Sequence, residues 1–488
     1  MDFYSNLESA KVFECFKLIS DIPRESKQEQ KISNFLVAWA NERNLEVIQD
    51  ETLNVIIKKD GTGTLKAAQP VIIQAHMDMV CEKGKDSEHN FATEPIEWVV
   101  KGDELYANNT TLGADNGIGL AMGMALLATD DIDLPPLEIV ATVDEETGMT
   151  GAHNLDCSLL KGKIFINGDS EEEGLFYLSC SGGNDTTIDI PVTFEDVDGL
   201  VVDLAVTGGL GGHSGLEIFK ERANANKVMG RFLNVLSEKE IPFNIIDIKG
   251  GSKINVITRD CNATIVVAEE NMSVIEKCVQ ELNKALADEY NPQDKDVHLE
   301  IAKGTNKKVK AITFSDSLRV VYALMLVNYG PTHHSQFLKD LIQTSSNPGV
   351  IVVDTANSKV VIKSSLRSSI ISQKQALIEQ FDVIGKVIGA KVTSSSFYPA
   401  WPYNENSRIK DLFIKEYHNL FHKDAKVVAI HAGLECGLFK EKMPADTDFI
   451  SFGPTIQGAH TAEEHVNIPS VERNYRLLKA VLQNINDY

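Results

Sequence analysis

The sequence predicts an α/β protein: a mostly parallel sheet flanked by helices, with an α+β region in the middle of the chain. Three observations carry this. Short, wholly apolar runs, the mark of strands buried on both faces, alternate with stretches of helical periodicity. Several of these runs stop in His, Asp or Glu, as expected where functional groups gather beyond the carboxyl ends of parallel strands. Residues from about 185 to 398 change rhythm to β-α-β-β-α and repeat it at a period of roughly 95 residues.

Val12, Phe13, Phe16 and Ile19, then Ile32, Phe35, Leu36 and Trp39 beyond Pro23, fall at helical spacing and predict two amphipathic helices. Leu53 to Lys58 alternates like a strand, and the turn Asp60-Gly61-Thr62-Gly63 separates it from the apolar run at Val71, Ile72 and Ile73. That run ends in His76 and Asp78. Side chains at i and i+2 of an extended chain share a face, so one H-x-D can supply both a ligating imidazole and the carboxylate that orients it. A hairpin is expected around Trp98 and Leu105. The segment TLGADNGIGLAMGMALLA then opens a helix with Asp115 or Asn116 in its cap region. Leu137 to Val143 runs into Asp144, Glu145 and Glu146, and Lys163 to Gly168 ends at Asp169. Lys426 to Ile430 ends at His431, and Asp448 to Pro454 leads to a loop holding His460.

A length of 488 residues predicts two or three domains. A formal net charge of −23 argues against nucleic acid or an anionic membrane as partner. The seven cysteines are scattered, odd in number and form no C-x-x-C, which fits a reducing cytosol. With no leader-like N-terminus and no apolar run near ~18 residues, a cytoplasmic protein without a membrane span is expected.

Each candidate alone has a plain structural explanation: Asp115 as a helix cap, Glu145, Glu146 and Asp169 as solvated carboxylates, His460 as a loop histidine. Together they place two histidines, an aspartate at a helix start, a glutamate pair and a further aspartate at one edge of one sheet. That inventory suits two divalent ions, which need about five protein ligands with one bridging. Mixed N and O donors favour zinc, with cobalt or manganese as alternatives. Two such ions against three carboxylates and a hydroxide leave a nearly neutral core. Adjacent Glu145 and Glu146 point to opposite sides of an extended backbone, so one can ligate while the other serves as general base; spacing does not say which.

The motifs AHMDMV, LGADNGIG, DEETGMTGA, NGDSE, GGLGGHSG and GAHTAEEH resemble, over essentially the whole chain, the M20 family of di-zinc peptidases, most closely its aminoacyl-histidine (Xaa-His) dipeptidase branch. The resemblance implies that His76 and Asp169 bind one zinc, Glu146 and His460 the other, and that Asp115 bridges. It further implies that Asp78 orients His76, that Glu145 is the catalytic base, and that the Asp115–Asn116 peptide is cis. The implied substrate is a small peptide of the carnosine type. Other M20 activities (tripeptide trimming, N-acyl-amino-acid deacylation) would keep the same ligands, and a catalytically inactive peptide-binding module would not need Glu145.

Because His460 lies beyond it, the region 185–398 reads as an insertion between catalytic segments 1–184 and 399–488. It is expected to be a lid of two ferredoxin-like repeats, about 201–295 and 296–390. In M20 enzymes with a single lid module a lid histidine typically reaches the active site from a partner subunit. A duplicated lid resembles that dimer folded into one chain, so either a monomer or a homodimer is compatible with it. On this reading His213 stabilises the oxyanion in cis, Asn255 and Arg367 hold the substrate's terminal carboxylate, Gly433 contributes a backbone contact, and His431 lines the pocket. His333, His334 and the Glu171–Glu173 run are expected to be surface features.

Overall fold

The computed structural model describes residues 3–339 and 341–488. It divides into two compact units: Met1–Cys180 with Tyr403–Ala429 and Leu434–Tyr488, and Ser181–Pro402 with Ile430–Gly433.

The first unit is built on an eight-stranded sheet. Its order is Glu46–Gln49, Val55–Lys59, Leu137–Thr142, Val71–His76, Ile164–Asn167, Asp448–Ser451, Leu175–Cys180, Lys426–Ile430. The four strands in the middle pair in parallel, while Glu46–Gln49, Val55–Lys59 and Leu175–Cys180 join antiparallel. The short link between Glu46–Gln49 and Val55–Lys59 permits only a hairpin, whereas parallel neighbours need a longer crossover. Val71–His76 and Leu137–Thr142 are buried at every position, which is why they read as unbroken apolar runs. Helix Ala114–Leu127 packs on helix Ala10–Ser20 and on strand Val71–His76, and its glycines let it come close: a Cβ at Gly119 would lie 2.7 Å from the Gly168 carbonyl.

The second unit is a nine-stranded antiparallel sheet whose apolar face shares one core with helices Ala225–Glu238, Met272–Tyr290, Phe314–Leu326 and Ile371–Ile388. The strand order runs His298–Ile312, Phe194–Thr207, Cys261–Val267, Phe243–Gly250, then Ile342–Asp354, Lys359–Ser368, Gly182–Pro191, Lys391–Tyr398, and the ninth strand, Gly330–His334, pairs with Ile342–Asp354 off this path. This is two β-α-β-β-α-β modules side by side, but not split near residue 295 as the periodicity predicts. His298–Ile312 pairs with Phe194–Thr207 and completes the first module. Gly182–Pro191 pairs with both Lys359–Ser368 and Lys391–Tyr398 and so belongs to the second. One module is therefore inserted into the other, after its first strand. A period counted along the chain registers element order, not which strand pairs with which.

All seven cysteines are free. Among the described residues no helix is long and apolar enough to cross a membrane.

Candidate metal centre

Within the first unit, three strand ends, the start of helix Ala114–Leu127 and the loop of His460 bring five side chains into one cluster. His76 closes the strand Val71–His76, and its Nε2 lies 3.1 Å from Asp115 Oδ1 and 3.4 Å from Asp169 Oδ1. On the other side, His460 Nε2 lies 3.2 Å from Asp115 Oδ2 and 3.0 Å from Glu146 Oε2. Asp115 thus turns one carboxylate oxygen to each histidine. It can do so because Asp115 and Asn116 depart from helical dihedrals at the start of their helix; the peptide between them is cis. Asn116 Nδ2 in turn donates to Asp169 Oδ1 at 2.6 Å. His76 and Asp115 Oδ1 are shielded from solvent, whereas the His460 side chain is half exposed.

Asp78 has more than one contact. Its backbone carbonyl lies 3.2 Å and its Oδ1 3.4 Å from His76 Nδ1, and its two carboxylate oxygens accept the backbone N–H groups of Glu145 (3.1 Å) and Glu146 (3.3 Å) and the Ser26 hydroxyl (2.8 Å). Asp78 therefore meets the imidazole through its carbonyl and its carboxylate and also pins the turn that carries both glutamates, two contacts of which the H-x-D pattern points only to the first.

The charges of the cluster are tuned to one another. Burial by itself would lower the pKa of His76, yet Asp169, Asp115 and Asp78 hold it well above the usual imidazole range. Burial would raise Asp115, but hydrogen bonds from His460 and His76 keep it far below the ordinary carboxylate value. Hydrogen bonds to Asp115 and Glu146 lift His460 to about 11. Burial raises Asp169 and Glu146 and pushes Glu145 well above its usual value. The carboxylates thus call for positive charge at the centre of the cluster, where the imidazole nitrogens face them. His76, Asp115 and Glu146 each offer a ligand atom, and these atoms lie within 4.8 Å of one another. The donor set fits divalent metal.

Several residues that the motifs do not mark hold this cluster. Glu435, fully buried, accepts from Gln74 Nε2 (2.5 Å) and Thr142 Oγ1 (2.7 Å), and Gln74 Oε1 accepts from Asn167 Nδ2 (2.7 Å), which ties three strand ends together beneath the ligands. Arg24 and Glu464, both buried, reach the backbone around Asp78 and Asp115. Of the Glu171–Glu173 run, Glu171 and Glu172 are exposed, while Glu173 forms a paired contact with Arg473 at 2.6 and 2.7 Å.

The second unit gathers a cluster of its own. The space a side chain at Gly215 would need is taken by the His431 carbonyl, the His213 ring and the Arg367 guanidinium. His213 Nδ1 accepts the backbone N–H groups of Gly215 (3.3 Å) and Leu216 (3.0 Å). Burial and nearby Arg367 lower its pKa, so the ring is neutral with its proton on Nε2. Arg367 is 7% exposed, donates to Tyr398 Oη at 2.8 Å, and leaves its Nε buried without an acceptor. Asn255 is exposed, and its carbonyl accepts the Ser214 N–H beside His213. His431 belongs to this unit with Gly433, and its Nε2 meets Ser345 Oγ at 2.7 Å. His333 and His334 are exposed on a hairpin strand that pairs with Ile342–Asp354.

The model of peptidase family M20/M25/M40 matches residues 72–484. The chain is 37% identical over 487 residues to the cytosol non-specific dipeptidase of Escherichia coli (strain K12), covering 99% of each. It is similar in structure to the aminoacylhistidine dipeptidase of Vibrio alginolyticus, with a TM-score of 0.91 and 34% identity over 98% of this chain and 97% of that one. The aminopeptidase PepT of Bacillus cereus shares the fold at a TM-score of 0.57 and 14% identity, over 98% and 99% of the two chains.

Proposed function

Since the chain belongs to peptidase family M20/M25/M40, we propose that its Asp115 cluster holds two divalent ions, zinc in preference to cobalt or manganese, and hydrolyses dipeptides. His76 and Asp169 hold one ion, Glu146 and His460 the other, and Asp115 both. The observation that carries this is the division of the Asp115 carboxylate, one oxygen toward each histidine. When bound, two such ions supply Lewis acidity for the scissile carbonyl and a water acidic enough to attack near neutral pH.

The protein's own groups do the rest. Glu145 takes the proton of the attacking water and returns it to the leaving nitrogen; its place beside Glu146, on the turn held by the Asp78 carboxylate, supports this role. Asp78 keeps His76 oriented and the Glu145 turn in place. His213, with its proton on Nε2, is the donor to the developing oxyanion. Arg367, buried and short of an acceptor, takes the substrate's terminal carboxylate together with Asn255 and the Gly433 backbone. The Ser181–Pro402 unit acts as the lid that brings these groups to the peptide. Dipeptides ending in histidine are the proposed substrates, by likeness to the V. alginolyticus protein. The name of the E. coli relative, a non-specific dipeptidase of the cytosol, supports a cytosolic location and a broader dipeptide range.

The test is metal analysis of purified protein joined to an assay on β-Ala-His and a panel of other dipeptides. The wild type is expected to carry two ions per chain and to cleave. Glu145→Ala keeps both ions and loses activity by ~10²- to 10⁴-fold, the usual worth of a general base. His213→Ala also keeps both ions and loses kcat more than KM. A chain that carries fewer than two ions, or a Glu145→Ala variant of full activity, would reject the reading.

A further inference from the structure

Two charged side chains outside the ligand set are almost completely buried behind it: Arg24 and Glu464, each 2% exposed. Glu464 receives four consecutive backbone N–H groups. Leu112 (2.8 Å) and Gly113 (3.0 Å) donate to one oxygen, Ala114 (2.7 Å) and Asp115 (3.3 Å) to the other. Arg24 donates through Nη1 to the carbonyls of Met77 (3.0 Å) and Asp78 (2.8 Å), and through Nη2 to that of Gly113 (2.5 Å).

These contacts link three segments that are remote in sequence. Arg24 ties the end of the His76 strand to the segment that leads into Asp115. Glu464 ties that same segment to the loop of His460, four residues before it. The two side chains meet at Gly113, whose N–H goes to Glu464 and whose carbonyl goes to Arg24. Gly113 has φ +68, and a Cβ there would collide with the Arg24 guanidinium, so only glycine fits this junction. Every link runs through main-chain atoms, so no ligand atom is consumed.

Buried charges are a poor way to gain stability, since apolar residues of similar size do as well or better, and these two bond to the backbone at Gly113. What such a pair supplies is a fixed geometry. Resting on the two-ion reading above, we propose that Arg24 and Glu464 are positioning residues that set the Asp115 carboxylate at the separation two ions require, and so make the second ion bind.

The experiment titrates the metal-stripped full-length protein with Mn²⁺, following ions bound by calorimetry and the spin-coupled pair by electron paramagnetic resonance. It compares wild type, Glu464→Gln, Arg24→Lys and the double variant Arg24→Met/Glu464→Gln. The double variant removes both buried charges at once. The proposal expects two ions and a coupled signal in wild type. In each variant the first ion binds nearly as before, the second binds about tenfold to a hundredfold more weakly, as when an outer-shell partner is lost, and the coupled signal fades. Double-variant protein that recovers wild-type thermal stability yet still lacks the coupled signal is the strongest expected result. If the double variant binds two coupled ions like wild type, or if it does not fold, the pair is a structural element only and the proposal falls. If the wild type itself binds a single ion, the two-ion reading fails first, which is a separate outcome.

Discussion

His431 is 7% exposed, hydrogen-bonded to Ser345, and faces Arg367 and His213, so its surroundings disfavour a second proton, with the Ile342 backbone alone pulling the other way. Burial, then the nearness of Arg367 and His213, lowers its pKa to about 3. In the unfolded chain the same ring titrates near ~6.5. Between those values the unfolded chain binds a proton that the folded chain refuses, so the stabilising contribution is complete above ~6.5 and is lost as pH falls toward 3. One proton amounts to ~1.4 kcal/mol per pH unit within the window. His431→Gln, which cannot titrate and still offers Ser345 a polar partner, is expected to flatten the dependence of unfolding free energy on pH by about that slope. Denaturant melts at a series of pH values between 6 and 4 measure it, and a slope equal to wild type would show that His431 is not the group responsible.

At the scale of elements, helix Ala114–Leu127 sets local propensity against packing. Alanine favours a helix over glycine by up to ~1 kcal/mol, so Gly119→Ala ought to stabilise. In the structure, however, a Cβ at Gly119 would collide with Asn116 Oδ1 and lie 2.7 Å from the Gly168 carbonyl. Neither neighbour is free to give way: Asn116 is bonded to Asp169, and Gly168 N–H is bonded to Gln74 O. Overpacking of this kind costs about 1 to 3 kcal/mol. The expected outcome is a net loss of stability with weaker metal retention, read by denaturant unfolding and metal content; a more stable variant with full metal would mean that the helix can shift. The same elements divide what was legible in the sequence from what was not. His76, Glu146 and Asp169 could be found because each follows an apolar run, and Asp115 and His460 because their motifs completed the set. Arg24 and Glu464 could not, since they act on backbone N–H and C=O groups that no side-chain pattern marks. The repeat in the second unit was visible as rhythm, but its boundaries depend on the pairing of Gly182–Pro191 with strands nearly two hundred positions later, and periodicity carries no such information. His431 follows a strand of the first unit's sheet, which pointed to that unit's edge, whereas its hydrogen bond to Ser345 belongs to the second.

At the scale of the whole molecule, the chain leaves the first unit after Cys180, builds the second, and returns at Tyr403. The five proposed ligands all belong to the first unit, but His460 comes from the returning segment and the other four precede the excursion. Metal held by these ligands would therefore fasten the segment Met1–Cys180 to the segment Leu434–Tyr488, both of the first unit. A ligand that binds only the folded state stabilises it by RT ln(1 + [L]/Kd), ~4 kcal/mol per ion at a thousand times Kd. Stripping the protein with a chelator is thus expected to lower the stability of the first unit by several kcal/mol and to leave the second little changed. Hydrogen exchange resolved by peptide reads the two separately. Amides of Val71–His76 and Leu137–Thr142 are expected to exchange faster after chelation and to recover with zinc, while those of Ile342–Asp354 and Lys359–Ser368 hold their rates. Equal acceleration in both sets would mean that the units unfold as one and that the metal stabilises the whole chain; no acceleration in either would remove the cluster around Asp115 as a metal centre.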